Sequence, residues 1–220
     1  MEVITEILEI KRKTQTQTIE IPDYLVYETI DGNPIYYRGF KEVLKKLKTP
    51  EEIMGCSSLQ GILISCLLKF LYKTIDETKH HLVTNEIGFH LQKKTNLSAD
   101  IAIYDFDTLK NAPHDHRYLE IPPLVVIEID TKADTADVAN VLNYNYYYKK
   151  TQKLFDFGVQ EVFWIFTDTQ QILCAKPQQD WLTIAWEKEI LILQTYHLTL
   201  PELIKKDGLL DLESLKRVEA

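Results

Sequence analysis

Hydrophobic and polar positions change their period several times along the chain, and each change marks an element. Residues 24–37 read as a hairpin: Leu25-Val26-Tyr27 and Ile35-Tyr36-Tyr37 are β-rich, and Asp31-Gly32-Asn33 between them tolerates the positive φ of a tight turn. Residues 40–47 predict a short helix. Ser57 or Ser58 then caps a longer one running to about Lys73, with Leu59, Ile62, Leu63, Cys66, Leu67, Phe70 and Leu71 at the three-and-four spacing of a buried stripe. Residues 81–91 and 99–104 predict strands about a polar turn at 93–96. Residues 124–130, introduced by Pro122-Pro123, are almost continuously apolar, as a strand covered on both faces is. Thr135 or Asp137 opens a helix to about Asp156, ended by Gly158. Residues 161–166 and 171–175 form a hairpin across 167–169, residues 181–186 and 190–193 add short strands, and Pro201 starts a terminal helix.

This order predicts an α/β (α+β) fold, a mixed central sheet flanked by helices, in one domain over residues 1–220. Within it the hairpin and first helices occupy 1–75, the core 80–176, and the last strands and helix 180–220.

Composition narrows the function classes. Of 220 residues 45% are apolar, which excludes a disordered chain. No apolar run is long enough for a membrane span, the best candidate, 61–68, being interrupted at once by Lys69. Residues 1–13 mix Glu with Ile and Leu and do not read as a signal peptide. The 3 Cys are odd in number and widely spaced, so neither a disulfide framework nor a zinc knuckle follows, and a reducing cytoplasm is the default. A net charge of −8 weighs against a large static DNA-binding surface, does not exclude an enzyme whose carboxylates hold a metal, and slightly favours an inactive binding module. The basic stretches at 41–48, Lys93-Lys94, and Lys149, Lys150 and Lys153 read as solvated helix faces and loops.

The chemistry concentrates in Val125-Val126-Ile127-Glu128-Ile129-Asp130-Thr131-Lys132. Alternation along a strand sends Glu128, Asp130 and Lys132 to one face. Burying such charges costs several kcal/mol per ion unless they pair or bind a cation. Asp100 opens a neighbouring strand and, with Glu128 or Asp130, supplies the oxygen ligands that Mg²⁺ or Mn²⁺ prefers. A nearby lysine then orients or helps deprotonate the water that attacks a phosphodiester.

Asp100 followed by Asp130-Thr131-Lys132 resembles the catalytic motif of the PD-(D/E)XK nuclease superfamily. The segments SADIAIYD, PPLVVIEIDTKAD and KTQKLFDFGVQEVFWIF resemble the putative-restriction-endonuclease family of small bacterial proteins within it, over residues 86–175. The resemblance implies a restriction-endonuclease-like fold, divalent-metal-dependent cleavage of DNA, and a homodimer. It matches Asp100 to the first metal ligand, Glu128 to the second acid, Lys153 to a helical lysine, and Glu86 to an additional acid that helps hold the metal. Ala99 stands where the family has Pro, and the position two after Glu128 is Asp130 rather than Lys. Either Asp130-x-Lys132 is the working pair, or Glu128 is the acid and the lysine has moved to Lys132 or Lys153. Strand alternation favours Lys132. The alternative function is a catalytically inactive nuclease-fold module used for binding or assembly.

Other groups read as structural. His114-Asp115-His116 and His80-His81 are loop and turn polarity, Cys174 is a small buried hydrophobe, and Tyr144, Tyr146, Tyr147 and Tyr148 serve packing more readily than base stacking. Neither a Gly-rich phosphate loop nor a Gly-x-Ser-x-Gly elbow is present.

Overall fold

The structure, a computed structural model, describes residues 20–130, 132–134 and 143–211, with the backbone alone at 143–145. The chain enters through the hairpin of β1 (Val26–Ile30) and β2 (Asn33–Tyr36), with Asp31 at φ 51° and Gly32 at φ 79° making the turn. Positive φ at both central residues matches the right-handed twist of the flanking strands. Helix α1 (Phe40–Leu44) ends sooner than the hydrophobic pattern predicts, because Lys46 turns left-handed at φ 59°, and α2 (Glu51–Met54) is a further short turn. Helix α3 (Ser58–Thr74) begins at Ser57, whose hydroxyl accepts the Gln60 N–H at 3.1 Å. That bond satisfies one of the donors a helix start leaves open.

Strands β3 (His80–Gln92) and β4 (Thr95–Asp105) pair antiparallel along their length, followed by helix α4 (Phe106–Lys110). Strand β5 (Val125–Ile129), helix α5 (Asn143–Phe157) and strand β6 (Glu161–Phe166) form a parallel unit, since two parallel strands need a crossover between them. Strands β7 (Gln171–Ala175) and β8 (Leu182–Ala185) continue antiparallel. The sheet is 8-stranded and mixed, in the order β2-β1-β4-β5-β6-β7-β8, with β3 on β4. A separate pair, β9 (Ile190–Ile192) and β10 (Tyr196–Leu198), precedes helix α6 (Leu200–Asp207); the hydrophobic pattern did not mark β10. The Thr135 or Asp137 helix start lies outside the described residues.

The burial of β5 explains why its sequence lacks alternation. Val125, Ile127 and Ile129 pack with Leu63, Leu67 and Leu71 of α3 and Ile204 of α6. Val126 faces the other way, into a cluster with Tyr146 and Leu154 of α5 and Trp164 of β6. The sheet therefore lies between α3 with α6 on one face and α5 on the other, the mixed, helix-flanked architecture expected.

Among the described residues no helix is long and apolar enough to cross a membrane. Two expectations are corrected here. The lysines of α5 are not all solvated, since Lys150 is 0% exposed. Strand β5 stops at Ile129 and Asp130 is left-handed at φ 55°, so the alternation predicted to carry Glu128, Asp130 and Lys132 onto one face ends before Asp130.

Candidate active site

The site forms where one edge of β4 forks. Residues Ile101, Ala102 and Ile103 pair with β3 on one side and β5 on the other, while Asn96 pairs with β3 and with Thr29 of β1. Strands β1 and β5 thus share one edge of β4, and between them the ladder is open over Leu97 to Asp100. Backbone donors at such a gap need acceptors when buried. Two carboxylates supply them: Glu28 Oε1 accepts the Ser98 N–H at 2.9 Å, and Asp100 Oδ2 accepts the Ile129 N–H at 2.8 Å. The fork that interrupts the sheet is what gathers the acids.

The β4–β5 register, carried one step past Ile101–Ile127, sets Asp100 opposite Glu128. On the other edge of β4, Thr84 pairs with Ile101 and Ile87 with Ala99, so Asn85 and Glu86 form a bulge against Asp100, at φ 72° and 53°. Gln60, in the first turn of α3, donates its amide to Asp100 at 3.2 and 3.3 Å. From the opposite layer Lys150 of α5 inserts its ammonium between Glu28 Oε1 at 2.6 Å and Glu128 Oε1 at 2.8 Å. The rings of Tyr27, Tyr146 and Trp164 surround Nζ at 5.5 to 5.9 Å, favourable distances for a cation against aromatic faces.

The electrostatics follow from burial. Desolvation, with Asp100 and Glu28 nearby and Lys150 opposing, pushes the Glu128 carboxyl up to about 8. Burial raises Asp100 as well, against the Ile129 N–H, the Gln60 amide and Lys150. For Lys150, burial pulls downward, but Glu128 and Glu28 beside it hold the ammonium well above the usual lysine range. The cluster is an anionic pocket around one fixed cation.

The remaining predicted residues occupy its surroundings. Asp130 accepts the Thr167 N–H and hydroxyl at 2.8 and 2.7 Å, and burial raises its carboxyl. Lys132 pairs with Glu86 of the bulge, and burial lowers its ammonium. Lys153 reaches the hairpin turn instead, pairing with Asp31 at 2.8 Å. Thus Asp100 and Glu128 meet, with Asp130 beside Asp100, while the lysine at Glu128 is Lys150 rather than Lys132 or Lys153. Gln60 and Glu28 were also missed. The Ile–Asp–Gly hairpin turn places Glu28 on a strand, but nothing local marks it as buried.

A cleft of about 510 Å³ opens beside the acids, lined by Gln60, Asp130 and Thr167 with Arg38, Lys48 and Lys132. Gln60 joins the cleft to the cluster, since it borders one and bonds Asp100 in the other. A cavity of about 420 Å³ on the hairpin side is bordered by Glu28 and Glu86.

A divalent cation is what the resemblance implies, and the donor set can be tested for it. No group of three or more metal-ligating His, Cys, Asp or Glu side chains stands together among the described residues. Asp100 and Glu128 nevertheless fit Mg²⁺, which binds through one or two carboxylates and keeps several waters. Glu128 Oε1 is buried, with the Lys150 ammonium 2.8 Å away as its ion-pair partner.

The mixed sheet with helices on both faces is a fold shared with a solved structure described as a putative nuclease. Among solved structures the chain is similar to one from Anabaena variabilis ATCC 29413, described as a putative nuclease belonging to DUF820, at TM-score 0.57 and 14% identity over 81% of this chain and 89% of that one. No family model matches the chain, and no curated protein matches it.

Proposed function

We propose that this protein is a divalent-metal-dependent nuclease that hydrolyses DNA phosphodiester bonds. The observation that carries this reading is the convergence of Asp100, Glu128 and Lys150, from two strands and the crossover helix, into one buried cluster beside a cleft. Asp100 and Glu128 would hold the metal, with Asp130 and Glu86 at the margin. Bound Mg²⁺ or Mn²⁺ would offset charge on the phosphate and make water more acidic. Gln60 donates to both oxygens of the Asp100 carboxylate, and the Ile129 N–H donates to Oδ2 as well, which fixes its orientation. Lys150 keeps its proton at Nζ and presents positive charge toward the acids, so its role is to orient water and stabilise anionic charge. Arg38, Lys48 and Lys132 line the cleft where a phosphate backbone would lie, interspersed with Glu42, Glu52 and Asp168.

A second reading, an inactive nuclease fold used for binding, draws support from Lys150 itself, because its ammonium already neutralises part of the acid cluster. Calorimetric titration with Mn²⁺ and cleavage of plasmid DNA separate the two. Metal binding that Asp100→Asn abolishes, with cleavage that chelator stops, supports the nuclease. A folded protein that binds no Mn²⁺ and cuts no DNA refutes it.

A further inference from the structure

Glu28 is the acid at the centre that no motif marks. It is 4% exposed and its carboxylate accepts four hydrogen bonds: Lys150 Nζ donates to Oε1 at 2.6 Å, the Ser98 N–H at 2.9 Å and the Ser98 hydroxyl at 3.2 Å, while the Tyr146 hydroxyl donates to Oε2 at 2.8 Å. If Glu28 served only to neutralise Lys150 it would be redundant, because Glu128 already lies 2.8 Å from the same ammonium. Adding another carboxylate to a buried cluster that holds Glu128 and Asp100 costs several kcal/mol unless further positive charge arrives. The division of the ammonium is also unequal. Lys150 lies closer to Glu28 Oε1, at 2.6 Å, than to Glu128 Oε1, at 2.8 Å.

We propose that Glu28 is a positioning residue that shares the Lys150 ammonium with Glu128, so that the ammonium is not held by Glu128 alone and Glu128 can still take part in binding a divalent cation. The inference rests on the hydrolytic reading above. The hairpin is thereby part of the site: β1 reaches the open edge of β4 and delivers the carboxylate across the fork, on the far side of Lys150 from β5. Without a charged Glu28, Lys150 turns fully to Glu128 and competes with the metal.

The test is Mn²⁺ calorimetry on wild type, Glu28→Gln and the double variant Glu28→Gln/Lys150→Met, each checked for folding by circular dichroism. Glu28→Gln should weaken Mn²⁺ binding about tenfold, equivalent to one charge-assisted hydrogen bond. The double variant, lacking the competing ammonium, should recover affinity to within about threefold of wild type while cleavage stays lost. A structural role predicts a less stable protein with unchanged affinity, and no recovery. Should Glu28→Gln fail to fold, Tyr146→Phe loosens Glu28 without removing its charge and should weaken binding in the same direction. Wild-type binding with equal affinity in the folded Glu28 or Tyr146 variants overturns this inference alone. A wild type that binds no Mn²⁺ and cuts no DNA refutes the hydrolytic reading and this inference with it.

Discussion

Replacing Lys150 by Met isolates the electrostatic role of one buried ammonium, because Met keeps the side-chain length and suits the aromatic surroundings of Tyr27, Tyr146 and Trp164. The change leaves Glu28 and Glu128 facing each other without their shared cation. Removing one partner of a buried pair costs about 3–5 kcal/mol, since the surviving charge loses its compensation. The cost depends on pH through the carboxyls. Glu128 is pushed up to about 8 in the folded protein, above an unfolded value near 4.3. A carboxyl raised on folding contributes stability that is complete below the unfolded pKa and disappears as pH rises through the folded one. Losing Lys150 removes the influence that lowers Glu128, so the folded variant takes up a proton more readily and bears the cost of ionising it at higher pH. The gap between wild type and variant should therefore be about 3–5 kcal/mol near pH 8.5 and under about 2 kcal/mol near pH 5.5. Urea denaturation followed by Trp fluorescence measures it, with Trp164 reporting from the site. A gap below about 1 kcal/mol near pH 8.5, or one that does not narrow on acidification, would refute the reasoning.

Further outcomes follow from other parts of the structure. In single-turnover cleavage, Lys150→Met should lower the rate at least about a hundredfold, Lys132→Met should chiefly weaken DNA affinity, and Lys153→Met should leave both within about threefold; a dead Lys132→Met beside an active Lys150→Met would restore the lysine predicted from the sequence. Gly158→Ala should destabilise by more than about 1 kcal/mol in urea titrations, because φ is +120° and a Cβ would meet the Pro122 ring at 2.9 Å. Ser57→Ala should cost about 1 kcal/mol by removing the α3 cap, with an accompanying fall in Tm.

The secondary structure was largely legible because local rules governed it. The Asp31-Gly32 turn, the Ser57 cap, the continuous apolar run of β5 and the 161–175 hairpin all declare themselves within a few residues, and each stands in the structure near its predicted bounds. Element ends were less legible where one backbone angle decided them: Lys46 at φ 59° shortens α1, and Asp130 at φ 55° ends β5.

The site divides the same way. Asp100 and Glu128 stood out because acids inside apolar strands are costly, a fact visible in one dimension. Lys150 did not, since a lysine among Lys149 and Lys153 on a helix reads as solvated until the helix is docked on the sheet. Only the tertiary structure decides which side of α5 meets Glu128, and only the sharing of one β4 edge by β1 and β5 brings Glu28 across from a distant hairpin. The physical reason is that the sequence specifies strand and helix through short-range sterics and periodicity, while partnership between charges depends on layer packing and sheet order, which join residues 28, 100, 128 and 150 across the whole chain.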